Sequence, residues 1–440
     1  MIERAIELVR ARAATGDALW RRAERTSVTF ESGRLKSCAA TEETGVNLRV
    51  LVDGRMGVAG TTADDADDLV ARAVASAALG ELVPITFPTT APLPDVSTFS
   101  TPAADAPLER LTAIGAELVS RVSREGCQVS VTIEREVAQT RVVNTAGTDA
   151  GYRSSTVVVG IDLARFAGDD VLFVSDQYAG AGLPAAADLD ALVRSIDDRY
   201  TPALRVVTPP DGALPVVFTP SGLSAILLPL EQALSGKTVL QGISPLGAKT
   251  GERVFDERFS LFDDPLVPGH PASRPCDDEG TPSRRLPLVE RGVVCGFAYD
   301  LETAARVQSV STGHGARGTF GKPHVAYSNL ILGKREEGRG TGGFGGGLLG
   351  GIADGLLIDD LIGVGQGNVI GGAFSHPVAL AYRVEGGAIT GRVKDAAVAG
   401  NVYDLLRRIG DFGNDARWLG NRWSASLLLE GVSVARRSSA

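Results

Sequence analysis

Histidine is the first thing this chain is short of. It has four, His270, His314, His324 and His376, and none lies three to five residues from another. A helical pair of imidazoles on one face, a common way to hold a catalytic zinc, cannot be built from such spacing. Cysteine is equally scarce. Cys38, Cys127, Cys276 and Cys295 stand apart with no C-x-x-C pair, which points to reduced thiols rather than a disulfide framework. No apolar run reaches the roughly 18 to 20 residues of a membrane helix. The start, Met1-Ile2-Glu3-Arg4, puts charge where a secretion signal has its apolar core. The expectation is a cytoplasmic protein with no membrane span. Dense basic runs are missing too, and the formal net charge is -9, so a nucleic-acid surface is not expected. No G-x-S-x-G elbow occurs.

What is present describes an ordinary globular chain. Its 440 residues, 44% of them apolar, supply material for two or three domains. Ile2, Ala5, Ile6, Val9 and Ala13 form a stripe at helical spacing. Ser27 to Phe30 reads as a strand, and Val46, Leu48, Val50 and Val52 alternate toward the hairpin signal Asp53-Gly54. Thr62 and Asp65 open a helix running from Asp67 to Leu79. After a Pro/Thr-rich loop the same order returns: a helix over Leu108 to Arg124, strands from Val129 to Leu163, and a helix from Ala185 to Asp198. Ser27-Val28-Thr29-Phe30 against Ser130-Val131-Thr132-Ile133 echoes that repetition. Pro209-Pro210-Asp211-Gly212 marks the next boundary. The units expected are 1–100, 101–208 and 209–440.

The clearest grammar lies between Gly363 and Ala435. Glycines lead into Phe374-Ser375-His376-Pro377, then Val378, Leu380, Tyr382 and Val384 recur at the period of a strand. Glu385-Gly386-Gly387 turns the chain into a return strand at Ala388-Ile389-Thr390. A helix from Asn401 to Ile409 follows, then the turn Gly413-Asn414-Asp415 and a last strand through Leu427-Leu428-Leu429, Val432 and Val434. This order resembles the C-terminal domain of the TldD/PmbA family, named as modulators of DNA gyrase and containing zinc metallopeptidases. Ser244-Pro245-Leu246-Gly247, Asp263-Asp264, Asp277-Asp278-Glu279-Gly280 and Thr312-Gly313-His314-Gly315 are similar to its PmbA (TldE) branch. The resemblance covers nearly the whole chain.

Catalytic members of that family carry H-E-x-x-x-H on a helix and a cysteine ligand after the G-N-D turn. The matching helix here, Ser221 to Leu234, has no histidine, and no cysteine lies between Asp415 and Ala440. Asp263, Asp264, Asp277, Asp278 and Glu279 offer oxygen ligands for a hard cation, although acids among Pro and Gly more commonly cap turns. Gly340, Gly342 and Gly345 form a formal G-x-G-x-x-G without the strand before it and helix after it that a dinucleotide site needs. Gly338 to Gly351 is therefore expected to be a mobile loop.

The fold class expected is α+β: a duplicated helix-plus-small-antiparallel-sheet N-terminal half, then a β-rich C-terminal domain. The resemblance implies a metal-free, PmbA/TldE-like subunit with no cofactor of its own. Zinc would sit on a TldD-type partner, and the substrate would be an unfolded peptide. The alternative is a non-catalytic homodimeric protein that binds a peptide or small ligand and regulates. No catalytic or metal-ligating residue is assigned. Asp277, Asp278, Glu279, Thr312, Gly313 and His314 are the substrate-binding candidates. A dimer is also expected because the strands Val378 to Val384 and Leu427 to Val434 carry more apolar surface than one short helix covers.

Overall fold

The computed structural model describes residues 1–12, 14–333 and 342–436. Ala13 and the stretches 334–341 and 437–440 lie outside them, and with them part of the glycine-rich loop.

Helix α1 (Ile2–Ala11) buries Ile2, Ala5, Ile6 and Val9, its apolar stripe. Strands β1 (Thr15–Glu31), β2 (Arg34–Val52) and β3 (Arg55–Thr61) follow. Each is joined by a two-residue turn, Ser32-Gly33 and Asp53-Gly54, with both residues at positive φ, the geometry that matches strand twist. Helix α2 (Ala66–Ala77) is capped by Asp65, which accepts from the Asp68 N–H at 2.9 Å. The order then repeats. Short α3 (Thr101–Ala104) and α4 (Leu108–Val122) precede β4 (Cys127–Asn144), β5 (Asp149–Ala167), β6 (Asp170–Gly180) and α5 (Ala186–Ala203).

The two repeats share one six-stranded antiparallel sheet, ordered β3-β2-β1-β4-β5-β6. Their first strands are its centre. The two echoing tetrads lie side by side there, Val28 opposite Ile133 and Phe30 opposite Val131. Helices α1 and α2 cover one end of the sheet, and α4 and α5 cover the other.

The strands are far longer than their sequence signal. β1 has 17 residues and β2 has 19, where only Ser27 to Phe30 and Val46 to Val52 carried a pattern. The reason is burial. Residues 34–43 are exposed on both faces, so no apolar period marks them as strand.

After β7 (Val206–Val207) and β8 (Gly212–Phe218), helix α6 (Ser224–Ala233) enters a second, strand-rich region. β8 lies between Asp354–Leu361 and Leu427–Arg436, followed by Ala396–Asn401 and Ala373–Glu385. Because Asp354–Leu361 also pairs with Ala373–Glu385, those five strands close on themselves. The Glu385-Gly386-Gly387 hairpin forms as read, with Glu385 paired to Ala388. The predicted helix from Asn401 to Ile409 is only Val402–Leu405, capped by Asn401 on the Tyr403 N–H at 2.9 Å. Ile409–Phe412 is a strand instead, because Ile409 pairs with Leu429.

The apolar strand faces left over for a partner are covered within the chain. Leu380, Tyr382 and Val384 pack in one core with Leu189, Leu192 and Ile196 of α5, while Leu427, Leu429 and Val432 belong to another. That argument for a dimer therefore falls away. The described part of the glycine-rich loop is anchored. Gly342 N–H donates to Asn414 O at 2.9 Å, Asn414 N–H donates to Gly346 O at 3.0 Å, and Phe344 packs edge-on to Tyr382. Among the described residues no helix is long and apolar enough to cross a membrane.

Candidate functional site: a polar cavity on the seam

The sheet meets the C-terminal region along a seam that starts with glycine. A Cβ at Gly45 would come within 2.4 Å of Thr319, and one at Gly60 within 2.0 Å of the Thr319 carbonyl. Asn47 donates to the carbonyls of Thr319 and Gly321, at 3.2 and 3.0 Å. Beside this contact Arg49 is wholly buried. It donates twice to Asp17, at 3.0 and 2.7 Å, and once to Glu279, at 2.6 Å. Arg317 reaches the same Asp17 at 3.1 Å. Two strands of the sheet are thus tied by charge to the loops 277–279 and 315–317.

The loops 277–279 and 312–314 hold all six candidates from the sequence, and the structure brings them together. Asp277 is spent on backbone. Its carboxylate accepts from the N–H groups of Glu279, Thr281 and Gly315, at 3.0, 2.8 and 2.9 Å. Glu279 takes Arg49 on one oxygen and the Leu301 N–H on the other, at 2.7 Å. Burial, followed by the carboxylates of Asp277, Asp300 and Asp17, pushes Glu279 up to about 8, against the pull of Arg49. Thr312 accepts from the Tyr299 N–H at 2.7 Å and its Oγ1 lies 2.9 Å from His314 Nδ1. His314 Nε2 lies 3.0 Å from Asp263. Gly313 takes φ +80°, and its carbonyl accepts from Arg274 at 3.3 Å. Asp278 differs from the others. It is half-buried, accepts from the Arg317 N–H at 2.9 Å, and faces a cavity of about 430 Å³.

That cavity lies between β1, β4 and β5 and the C-terminal loops, with Tyr152, Arg274, Asp278, Arg317, Tyr327 and Ser328 among its walls. Its walls are rich in hydrogen-bond donors. Arg274 is held in its charged form by Asp278 and Asp277 although burial works the other way. Burial keeps the Tyr152 and Tyr327 phenols protonated, and that of Tyr327 already donates to the Glu231 carbonyl at 2.8 Å. Guanidinium and phenol donors beside the carboxylates of Glu43, Glu136 and Asp278 suit the amides of a peptide. They include no serine set on an imidazole. Ser328, Asp263 and His314 adjoin, but Ser328 Oγ donates to Asp263 at 2.6 Å and His314 binds the same oxygen. A nucleophile needs its serine on the imidazole.

The other histidines are scattered. His270 stacks on Trp418, His324 is exposed on a short strand, and His376 stacks on Phe374. A zinc does not fit the position that the family motif would give it. Helix α6 buries Ala225, Ile226, Leu227, Pro229, Leu230 and Ala233. Its one carboxylate, Glu231, is clamped by Arg422 at 3.0 and 3.1 Å. Past the Gly413-Asn414-Asp415 turn, Asp415 accepts from the N–H and hydroxyl of Ser426, and Arg417 pairs with Asp176 at 2.6 Å. Among the described residues no three His, Cys, Asp or Glu side chains converge to hold a metal.

Sequence reasoning missed Asp17, Arg49, Arg274 and Arg317. The available signal was Asn47 and Arg49 alternating with Val46, Leu48 and Val50, which reads as a solvent face.

A sheet with paired repeats, a closed strand-rich region and a buried ionic seam define a class, and the comparisons agree on it. Residues 211–436 match the model of the PmbA/TldA metallopeptidase C-terminal domain, and residues 16–77 that of PmbA/TldA metallopeptidase domain 1. The chain belongs to the PmbA/TldD metallopeptidase family. It is 25% identical to a metalloprotease of Methanothermobacter thermautotrophicus, over 89% of this chain and 86% of that one. It is 26% identical to the metalloprotease PmbA homologue of Haemophilus influenzae, over about half of each chain (50% and 46%). TldE from Thermococcus kodakarensis shares the fold at a TM-score of 0.87 and 22% identity, covering 98% of this chain and 99% of that one. A protein of Thermotoga maritima described as a modulator of a DNA gyrase does so at 0.87 and 23%, with the same coverage.

Proposed function

We propose that this chain is the metal-free, TldE/PmbA-like subunit of a two-chain cytoplasmic peptidase. A TldD-type partner holds the zinc, and this chain contributes interface and peptide-binding wall. The observation that carries the reading is helix α6: an apolar, core-packed helix whose one acid is neutralised by Arg422. It offers no imidazole, thiolate or free carboxylate to a metal. The names of the relatives support peptide-bond hydrolysis as the activity of the assembly. The cavity beside Asp278 supports a role in holding peptide.

The test is reconstitution. Unfolded peptide should be cleaved only when this chain and an H-E-x-x-x-H relative are mixed. Asp278→Asn and Arg274→Ala should raise KM more than they lower kcat. Cleavage by this chain alone, undiminished by a chelator, would refute the division of labour. Tight peptide binding with no cleavage in the mixture would instead favour the homodimeric regulator.

A further inference from the structure

A second cavity lies where α5, the approach to α6 and the turn at Gly413-Asn414-Asp415 meet. It measures about 260 Å³ and shares no lining residue with the cavity beside Asp278. Ala191, Pro220, Phe344 and Ala416 give it apolar walls, and the guanidiniums of Arg199 and Arg417 line it beside them. The two arginines are fixed side by side. Each reaches Asp176 Oδ2 through Nη1, Arg417 at 2.6 Å and Arg199 at 3.4 Å, and both donate to the Ser195 hydroxyl. Arg199 Nε lies 2.9 Å from Asp359. The second amino group of each is left over. Arg199 Nη2 makes no hydrogen bond among the described residues, on a side chain only 4% exposed. Arg417 Nη2 is buried without a partner. Buried donors in folded proteins are nearly always satisfied, by protein, water or ligand.

Charge decides which acceptor fits. Arg194, Arg199 and Arg417 stand with Asp176, Asp198, Asp359 and Asp415, three cations against four carboxylates. An entering carboxylate would add a fifth, so the balance favours an uncharged acceptor. Other polar groups nearby are already engaged. The Thr219 hydroxyl donates to Asp359 at 2.7 Å, and Asp415 accepts from the N–H and hydroxyl of Ser426. Arg194 and Asp198 are exposed on α5 and form no ion pair among the described residues. Asp198 is therefore open to accept. A primary amide supplies both halves, a carbonyl oxygen for the Nη2 donors and an NH₂ for Asp198. The apolar walls suit the methylene stem that carries it.

We propose that this cavity is a subsite for an uncharged amide of a bound peptide, foremost the side chain of Gln or Asn, gripped by Arg199 and Arg417. A main-chain amide is the other source of the same chemistry. The inference deepens the peptide-holding role given to this chain above and rests on it.

The experiment is calorimetric titration of the full chain, alone, with four glycine-serine peptides carrying Gln, Glu, Leu or Gly at one central position. Acetyl and N-methylamide caps leave Gln as the one primary amide. The Gln peptide should bind about tenfold tighter than the others, the factor that one or two net hydrogen bonds give. Arg417→Lys keeps a cation for Asp176 but removes the second amino group, and Ala191→Trp fills the cavity. Each should erase the preference, and Asp198→Ala should narrow it about threefold. Circular dichroism checks folding, and the exposed Asp198 keeps the test open if Arg417→Lys unfolds. Variants that weaken all four peptides by one factor would assign the cavity to a main-chain amide. A Glu peptide that binds tighter than the Gln one, four equal affinities that no variant moves, or no binding at all would overturn the proposal. Cleavage of the Gln peptide in a mixture with an H-E-x-x-x-H relative, indifferent to all three variants, would remove this subsite and leave the peptidase reading standing. Gln-selective binding without cleavage in that mixture would do the reverse.

Discussion

Two buried charge clusters pin the sheet to the C-terminal region, one toward each end, and they are built differently. Near β1 and β2 the members are Asp17, Arg49, Glu279 and Arg317. Near β6 and α5 they are Asp176, Arg199, Asp359 and Arg417. In the second cluster each acid meets guanidinium. Arg199 lies 2.9 Å from Asp359 and 3.4 Å from Asp176, and Arg417 lies 2.6 Å from Asp176. In the first, Glu279 sits among other carboxylates with only Arg49 against it. The same four-member inventory therefore gives one acid pulled down and one pushed up. Burial raises both acids, and the neighbours decide whether that rise is overturned, as two arginines do at Asp176 and Arg49 does not at Glu279.

The largest test removes a shared cation. Arg49→Met leaves Asp17 and Glu279 short of their partner in a dry seam, and Arg199→Met does the same to Asp359. Each should cost about 3–5 kcal/mol, the range for a buried pair broken on one side. Thermal and urea unfolding check it. If one substitution is silent while the other is not, the two clusters are not equivalent pins.

The second test uses pH to separate them. Burial works to raise Asp176, but Arg417 and Arg199 outweigh it and hold it down from 3.8 to about 2. Its contribution is present above pH 3.8 and is lost as pH falls through 2, about 2 kcal/mol in all. Glu279 runs the other way. Raised from 4.5 to about 8, it contributes below pH 4.5 and loses that contribution as pH rises through 8. Asp176→Asn should flatten the acid limb of a stability–pH curve, and Glu279→Gln the limb between 4.5 and 8. Flattening of the same limb by both would contradict the contrast.

How much of this was legible follows from where solvent lies. Helix α2, its Asp65 cap and the Glu385-Gly386-Gly387 hairpin were readable because each is specified by residues within one turn of the chain. The six candidates of loops 277–279 and 312–314 were readable as a cluster only through family resemblance. Their number hid a division that the sequence does not carry: five are committed to hold loops, and Asp278 faces the cavity. Arg49 was illegible for a related reason. In β2 a polar residue alternating with valine looks solvated, and only the loop at Thr319, some 270 residues on, makes that face an interior. Residues 34–44 failed in the opposite direction. They are strand without a buried face, so periodicity had nothing to report.

The smallest expected effect holds the chemistry fixed and changes only the solvent. Arg141 grips Asp149 with two parallel N–H···O bonds, both 2.8 Å, as regular as those of Arg49 on Asp17. Arg141 also meets Glu3, and its hydrogen bond to Asp149 lowers that acid below its usual range. By geometry alone the two arginines rank as equals. They differ in water: the Arg141 and Asp149 side chains are 35% and 55% exposed, those of Arg49 and Asp17 not at all. Exposed pairs lose most of their attraction to the high dielectric and to counter-ions, and they immobilise long side chains. Arg141→Ala should therefore cost less than about 1 kcal/mol, and the cost should shrink further near 1 M salt, where screening acts within about 3 Å. Arg49→Met should keep its full cost in the same salt. A salt-insensitive loss at Arg141 comparable to that at Arg49 would mean that bidentate geometry, not exclusion of water, sets the strength of both.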